Sequence, residues 1–148
     1  MNFIYIAGPF FNNKQKGLIK RIEKELDKYG IKYFSPRSEG VLIDMTPEEK
    51  EEQMVKIFDS NIFHLENCKG VIAVIDDWDT GTVFEIGYAN AIEKPIFTLS
   101  DNDYGLNVMV RQAVRCHNID VKNAVINILQ HFSESELTGM KELTKDVT

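Results

Sequence analysis

The 148 residues suit one domain with room for a core, and the 43% hydrophobic and 27% charged fractions are ordinary for a soluble globular chain. The net charge of −6 argues against a nucleic acid or an anionic membrane held by a basic surface, while a small nucleotide in a local pocket stays open. Cys68 and Cys116 have no metal spacing, the N-terminus lacks a basic signal region, and no segment has the length of a membrane span, so a reduced, cytoplasmic protein is expected.

In chain order, "FIYIAG" (3–8) reads as a buried strand followed by the loop "PFFNN". From Lys14 to Tyr29, Leu18, Ile19, Ile22, Leu26 and Tyr29 recur at helical spacing, and Gly30 stands where a helix commonly ends. "IKYFS" (31–35) reads as a second strand, stopped by Pro36. Thr46, Pro47 and Glu49 form a strong helix start, with Thr46 as N-cap and Glu49 completing a capping box. That second helix carries Met54, Phe58, Asn61 and Leu65 on one stripe. "GVIAVI" (70–75) is unbroken and apolar, as expected of a strand buried on both faces. A third helix is expected over 82–93, a fourth strand over 95–100 and a short helix over 107–115. A fifth strand falls near Cys116–Ile119. Asp120 then caps a last helix with Val121, Ala124, Val125, Ile128 and Phe132 inward. The domain is expected to cover 1–132, leaving 133–148 as a polar tail of weak periodicity.

Strands alternating with helices imply an α/β fold, a five-stranded parallel sheet covered on both faces. Such sheets bind ligands at the carboxyl ends of their strands. The loops "GPFFNN", "PRSEG" and "DDWDTG" emerge there.

Glu85 is the residue that most needs explaining. Thr82 and Glu85 fit a capping box, which needs no function. Yet Phe84, Ile86, Gly87 and Ala89 surround it, and a carboxylate buried in such company costs several kcal/mol unless something holds it. The helix N-terminus is expected to favour its ionised form. A desolvated, ionised carboxylate beside a cleft is what a carboxylate nucleophile requires. Tyr5, on the first strand, is a core aromatic by composition, but a buried phenol wants a hydrogen-bond partner, and Glu85 is the candidate. Of Asp76, Asp77 and Asp79, the last is placed to point inward, ahead of Thr80 and Gly81, and the other two read as loop surface or turn formers. Asn61 is the polar exception on its stripe: a satisfied core amide or a ligand contact. His64, His117 and His131 are dispersed, and no metal site is expected. Gly8-Pro9 makes a turn without dinucleotide spacing, and no Walker or nucleophile-elbow motif occurs.

"IYIAGPFFN" (4–12), "FSPRSE" (34–39) and "DWDTGTVFEIGYA" (77–89) resemble the nucleoside 2-deoxyribosyltransferases, with order and spacing agreeing over roughly residues 3 to 115. The resemblance implies a flavodoxin-like three-layer sandwich. It implies transfer of 2-deoxyribose between nucleobases through a covalent deoxyribosyl–glutamate ester, with no cofactor and no metal. Glu85 takes the nucleophile's position, and Tyr5 that of the tyrosine that tunes it. Asp79, Asn61, Gly8, Phe10, Phe11, Arg37 and Gly81 fall in substrate-binding positions. Asn107 and Met109 resemble a segment that a neighbouring subunit inserts, which implies a homo-oligomer acting on a 2′-deoxynucleoside and a free base. One departure stands out. Asn61 lies where many members carry an aspartate, and an amide cannot be a general acid.

Two other readings compete. A related class hydrolyses the N-glycosidic bond of deoxynucleoside 5′-monophosphates. Here the loop "GPFFNNKQ" is apolar and holds no arginine, which disfavours a phosphate, although Lys14 keeps the idea open. A nucleoside- or nucleotide-binding module on the same fold would have no need of Glu85 opposite Tyr5.

Overall fold

A computed structural model describes residues 2–36, 44–100 and 105–141. Five parallel strands form one sheet in the order β2-β1-β3-β4-β5: β1 (Ile4–Ala7), β2 (Tyr33–Phe34), β3 (Gly70–Val74), β4 (Ile96–Leu99) and β5 (Cys116–Asn118). The strand order reverses between β1 and β3, which pair from Ile4↔Gly70 to Ala7↔Ala73. This is the α/β sandwich expected from the alternation of elements. The second strand is shorter than its apolar run suggests. Ile31 instead forms an isolated antiparallel bridge with Lys141, because β2 is an edge and the returning chain supplies a partner.

The period of two along each strand divides the core. Ile4, Ile6, Ile72, Val74, Phe97 and Leu99 face helices α1 (Asn13–Lys28) and α5 (Val121–His131). Tyr5, Ala7, Val71, Ala73, Ile75 and Ile96 face the other way, toward Leu65 of α2 (Pro47–Asn67) and Ile86 and Ala89 of α3 (Thr80–Ala91). Tyr5 is therefore on the same side of the sheet as Glu85. Helix α1 ends as its glycine predicts: Gly30 has φ +69° and Ile31 N–H donates to Leu26 O at 3.1 Å. Gly8 marks a close approach, since a Cβ there would lie 3.1 Å from Val74 Cβ.

Helix α2 has the Thr46–Glu49 capping box. Its stripe does not pack as a continuous core face: Leu65 is buried, but Met54 and Phe58 are exposed. The reason is length. The 21 residues of α2 span about 31 Å, against about 17 Å for the five residues of β3. The N-terminal half of α2 overhangs the carboxyl edge of the sheet. Helix α4 (Val108–Ala113) crosses near α3, and α6 (Glu134–Met140) follows α5. The segment expected as a polar tail of weak periodicity begins with this helix: Ser133 and Glu136 form a capping box and Met140 is fully buried in the core. Among the described residues, no helix is long and apolar enough to cross a membrane.

Candidate active site

The carboxyl edge at the β1/β3 switch gathers the site. After β3 the chain makes one 3-10 turn, Asp76–Trp78, in which Asp77 and Trp78 both have positive φ, 65° and 47°. Asp79 then caps α3. Its Oδ2 accepts from Thr82 N–H at 2.9 Å and from Thr82 Oγ1 at 2.8 Å. This corrects the capping box expected of Thr82 and Glu85, and α3 starts two residues earlier than expected. Thr82 is the buried recipient of the cap, and Glu85 lies in the second turn.

The difference matters electrostatically. The field of a helix N-terminus fades within its first turn, so Glu85 gains little from it. Burial dominates and pushes the carboxyl up to about 7. A hydrogen bond from the Tyr5 hydroxyl pulls the other way, and the nearby charge of Asp79 adds to the rise. The expectation of a carboxylate held ionised by the helix start is therefore corrected: near pH 7 the Glu85 carboxyl is present in both forms.

Tyr5 is fully buried and its hydroxyl donates to Glu85 Oε2. Phe34 tilts against the Tyr5 ring with centroids 5.5 Å apart, and His64 stacks on Phe34 at 3.6 Å. The phenol thus stands in a packed aromatic row and has little freedom to leave Glu85.

Two cavities meet at Glu85. One, of about 180 Å³, lies over the strand ends and is lined by Gly8, Pro9, Phe10, Phe11, Pro36 and Asp79. The other, of about 280 Å³, lies between α2 and α3 and is lined by Met54, Phe58, Ile62, Leu65 and Phe84. Ile57, Asn61, Gly81 and Glu85 line both. Asn61 Oδ1 is buried with no hydrogen-bond partner, an acceptor that a bound donor would satisfy. Phe10 and Phe11 stack with centroids 5.9 Å apart, and Phe11 is 76% exposed, leaving its ring free at the mouth.

The fold thus brings together Tyr5, Gly8, Phe10, Phe11, Asn61, Asp79, Gly81 and Glu85. It does not bring Asn107 or Met109 to the same pair of cavities. Asn107 caps α4, accepting from Met109 N–H at 2.8 Å, and Met109 is exposed. Arg37 lies outside the described residues. Of the two aspartates read as loop formers, Asp77 is exposed, but Asp76 is buried and accepts from Ser100 Oγ, tying the ends of β3 and β4. Sequence reasoning passed over Ile57, although it sits one turn before Asn61 on α2.

Comparison with known proteins fits this geometry. The sequence matches the profile of the nucleoside 2-deoxyribosyltransferase family over residues 4–129. No curated protein sequence matches. Among solved structures, a 2-deoxyribosyltransferase from Bacillus psychrosaccharolyticus superposes with a TM-score of 0.74 at 24% identity, covering 93% of this chain and 96% of that one. A conserved protein from Enterococcus faecalis V583 gives 0.73 at 17% identity, covering 89% and 99%. A CMP N-glycosidase from Clostridium botulinum gives 0.56 at 19% identity, covering 89% and 100%. These likenesses carry the fold. With the profile match over most of its length, the chain belongs to the nucleoside 2-deoxyribosyltransferase family, whose enzymes act on nucleosides by N-glycosyl chemistry.

Proposed function

We propose that this protein moves 2-deoxyribose from one nucleobase to another, with Glu85 as nucleophile. The observation that carries the reading is the Tyr5–Glu85 hydrogen bond at the junction of two cavities. In the first step a Glu85 carboxylate oxygen attacks C1′ of a 2′-deoxynucleoside. The C1′–N bond breaks and its electron pair leaves with the base, which takes a proton from solvent. In the second step a ring nitrogen of another base attacks C1′ and gives up its proton to solvent, the ester C1′–O bond breaks, and the Glu85 carboxylate is restored. The logic is that of a retaining glycosidase. Tyr5 occupies Oε2, which leaves the other oxygen free to attack and orients it.

Asn61 holds the base without protonating it, because an amide has no proton to give at this pH. Phe10 and Phe11 offer aromatic faces to the base. Asp79, Gly8, Gly81 and Arg37 are assigned to the substrate. The working unit is a homo-oligomer in which Asn107 and Met109 serve a neighbour's site. The exposed Val108 and Met109, with the exposed Met54, Phe58 and Phe84 beside the larger cavity, support self-association.

Incubating the protein with a 2′-deoxynucleoside, with and without a second free base, tests the reading. A new deoxynucleoside, lost in Glu85→Ala, supports transfer. Free base released equally with and without acceptor means hydrolysis, and nucleoside monophosphates become the next substrates. Ligand binding that survives Glu85→Ala, with no product from either variant, means a binding module.

A further inference from the structure

The two loops that wall the smaller cavity come from different strands. Phe10 and Phe11 follow β1, while Asp79 and Gly81 follow β3. A side chain of α1 joins these loops. Gln15, in the first turn of α1, accepts from Phe11 N–H through Oε1 at 2.8 Å. It donates through Nε2 to Asp77 Oδ2, also at 2.8 Å. Its own backbone N–H is held by Asn12 Oδ1 at 2.9 Å, so the side chain starts from a fixed helix terminus. Both halves of one amide are used, the acceptor on one wall and the donor on the other.

The far end of this bridge is strained. Asp77 and Trp78 are consecutive non-glycine residues with positive φ. Such a residue is strained and persists only where its surroundings hold it. Asp79, the residue that follows, caps α3 and lines the cavity. We propose that Gln15 is a positioning residue of the glycosyl site, a latch that holds the strained 76–78 turn against the Phe11 wall and so sets the width of the substrate cavity. This rests on the function proposed above. Gln15 itself touches no reacting atom.

The chemistry predicts how variants behave. Gln15→Leu loses both bonds. Gln15→Glu can still accept from Phe11 but sets a second carboxylate against Asp77. Asp77→Ala removes the anchor, whereas Asp77→Asn keeps an acceptor oxygen for Gln15 Nε2. The chain has one tryptophan, Trp78, adjacent to the anchor, so its fluorescence reports the turn without any substrate.

The test pairs steady-state kinetics, with whichever natural 2′-deoxynucleoside the wild type turns over, with acrylamide quenching of Trp78. Gln15→Leu is expected to raise KM about three- to tenfold, the scale of one net hydrogen bond, with kcat within about twofold. Trp78 quenching is expected to rise, and to rise further in Gln15→Glu. Asp77→Ala should match Gln15→Leu, their double variant should be no worse than either, and Asp77→Asn should stay near wild type. Unchanged quenching in Gln15→Leu, additive effects in the double variant, or loss of kcat at constant KM would each overturn the latch. If no nucleoside is turned over, the glycosyl reading fails by itself, and quenching across the same variants still decides whether Gln15 holds the turn. If Glu85-dependent turnover persists while the quenching is flat, the latch fails and the glycosyl reading stands.

Discussion

Replacing Tyr5 by Phe isolates the group that pulls the Glu85 carboxyl down. Tyr5 is fully buried, and the change removes only the hydroxyl while keeping the ring that packs on Phe34. A hydrogen bond to a charged partner contributes about 1.5–3 kcal/mol. At 1.36 kcal/mol per pH unit, its loss moves the Glu85 titration up by about one to two pH units, from a starting point of about 7. The ionised fraction at pH 7 then falls from about one half to between about one in ten and one in a hundred, so turnover at pH 7 falls about five- to fiftyfold. The deficit should shrink as pH rises, because the ionised form returns. The assay is kcat/KM against pH, by chromatography of released base, for wild type and Tyr5→Phe. Carbon NMR of labelled glutamate carboxyls supplies an activity-free titration. A deficit constant from pH 6 to 9, or an acidic limb that stays in place, would refute the argument that Tyr5 acts through the charge of Glu85.

The same titration makes Glu85 a burden on the fold. Its folded pKa of about 7 exceeds the ordinary 4.5, so the folded chain binds more protons than the unfolded chain between those values. Stability therefore falls as pH rises through that window, by about 3 kcal/mol, and stays low above it. Glu85→Gln should accordingly melt several degrees above wild type at pH 8 and close to it at pH 4, as read by calorimetry, while losing transfer. Asp79→Asn should keep the helix cap, since Asn caps as well as Asp, and move the acidic limb of activity down because a like charge is removed. Phe58→Asp changes an exposed residue and should leave the melting temperature of a monomer nearly untouched; if self-association buries this face, size exclusion with light scattering should show the variant as a smaller species.

How much of this was legible in the sequence depended on whether the deciding contact was local. Gly30, the Thr46–Glu49 box and the Asp120 cap bind partners within a few residues, and each fell where the pattern put it. The unbroken "GVIAV" run required burial on both faces, and every residue of β3 is buried. The start of α3 was ambiguous because Asp79 and Thr82 each have a suitable partner three residues on. Burial of Thr82 decides it, and burial is a tertiary fact. Asp76 and Asp77 were likewise equivalent on paper. Only the arrival of Ser100 at the end of β4 singles out Asp76 for the interior. The overhang of α2 followed from a mismatch between helix and strand lengths that no stripe of apolar residues announces. Helix α6 did carry a local sign, Ser133 followed by Glu136, but its polar sequence masked the one anchor, Met140.

The apolar neighbours of Glu85 follow from where three surfaces meet. Successive residues of a helix turn by about 100°, so Phe84, Glu85 and Ile86 fan across more than half of its circumference. Ile86 enters the core against the sheet, Phe84 borders the cavity beside α2, and Glu85 points between them to Tyr5 on β1. A carboxylate kept there for stability would be expected opposite a cation. The groups that act on it are instead a neutral phenol and the like-charged Asp79. Burial and Asp79 together outweigh the hydrogen bond from the phenol and destabilise the anion, and the two carboxylates would favour any positive charge that developed beside them. An oxocarbenium-like C1′ is such a charge, present in the transition state and absent from the ground state, which is where a catalyst gains from electrostatic mismatch.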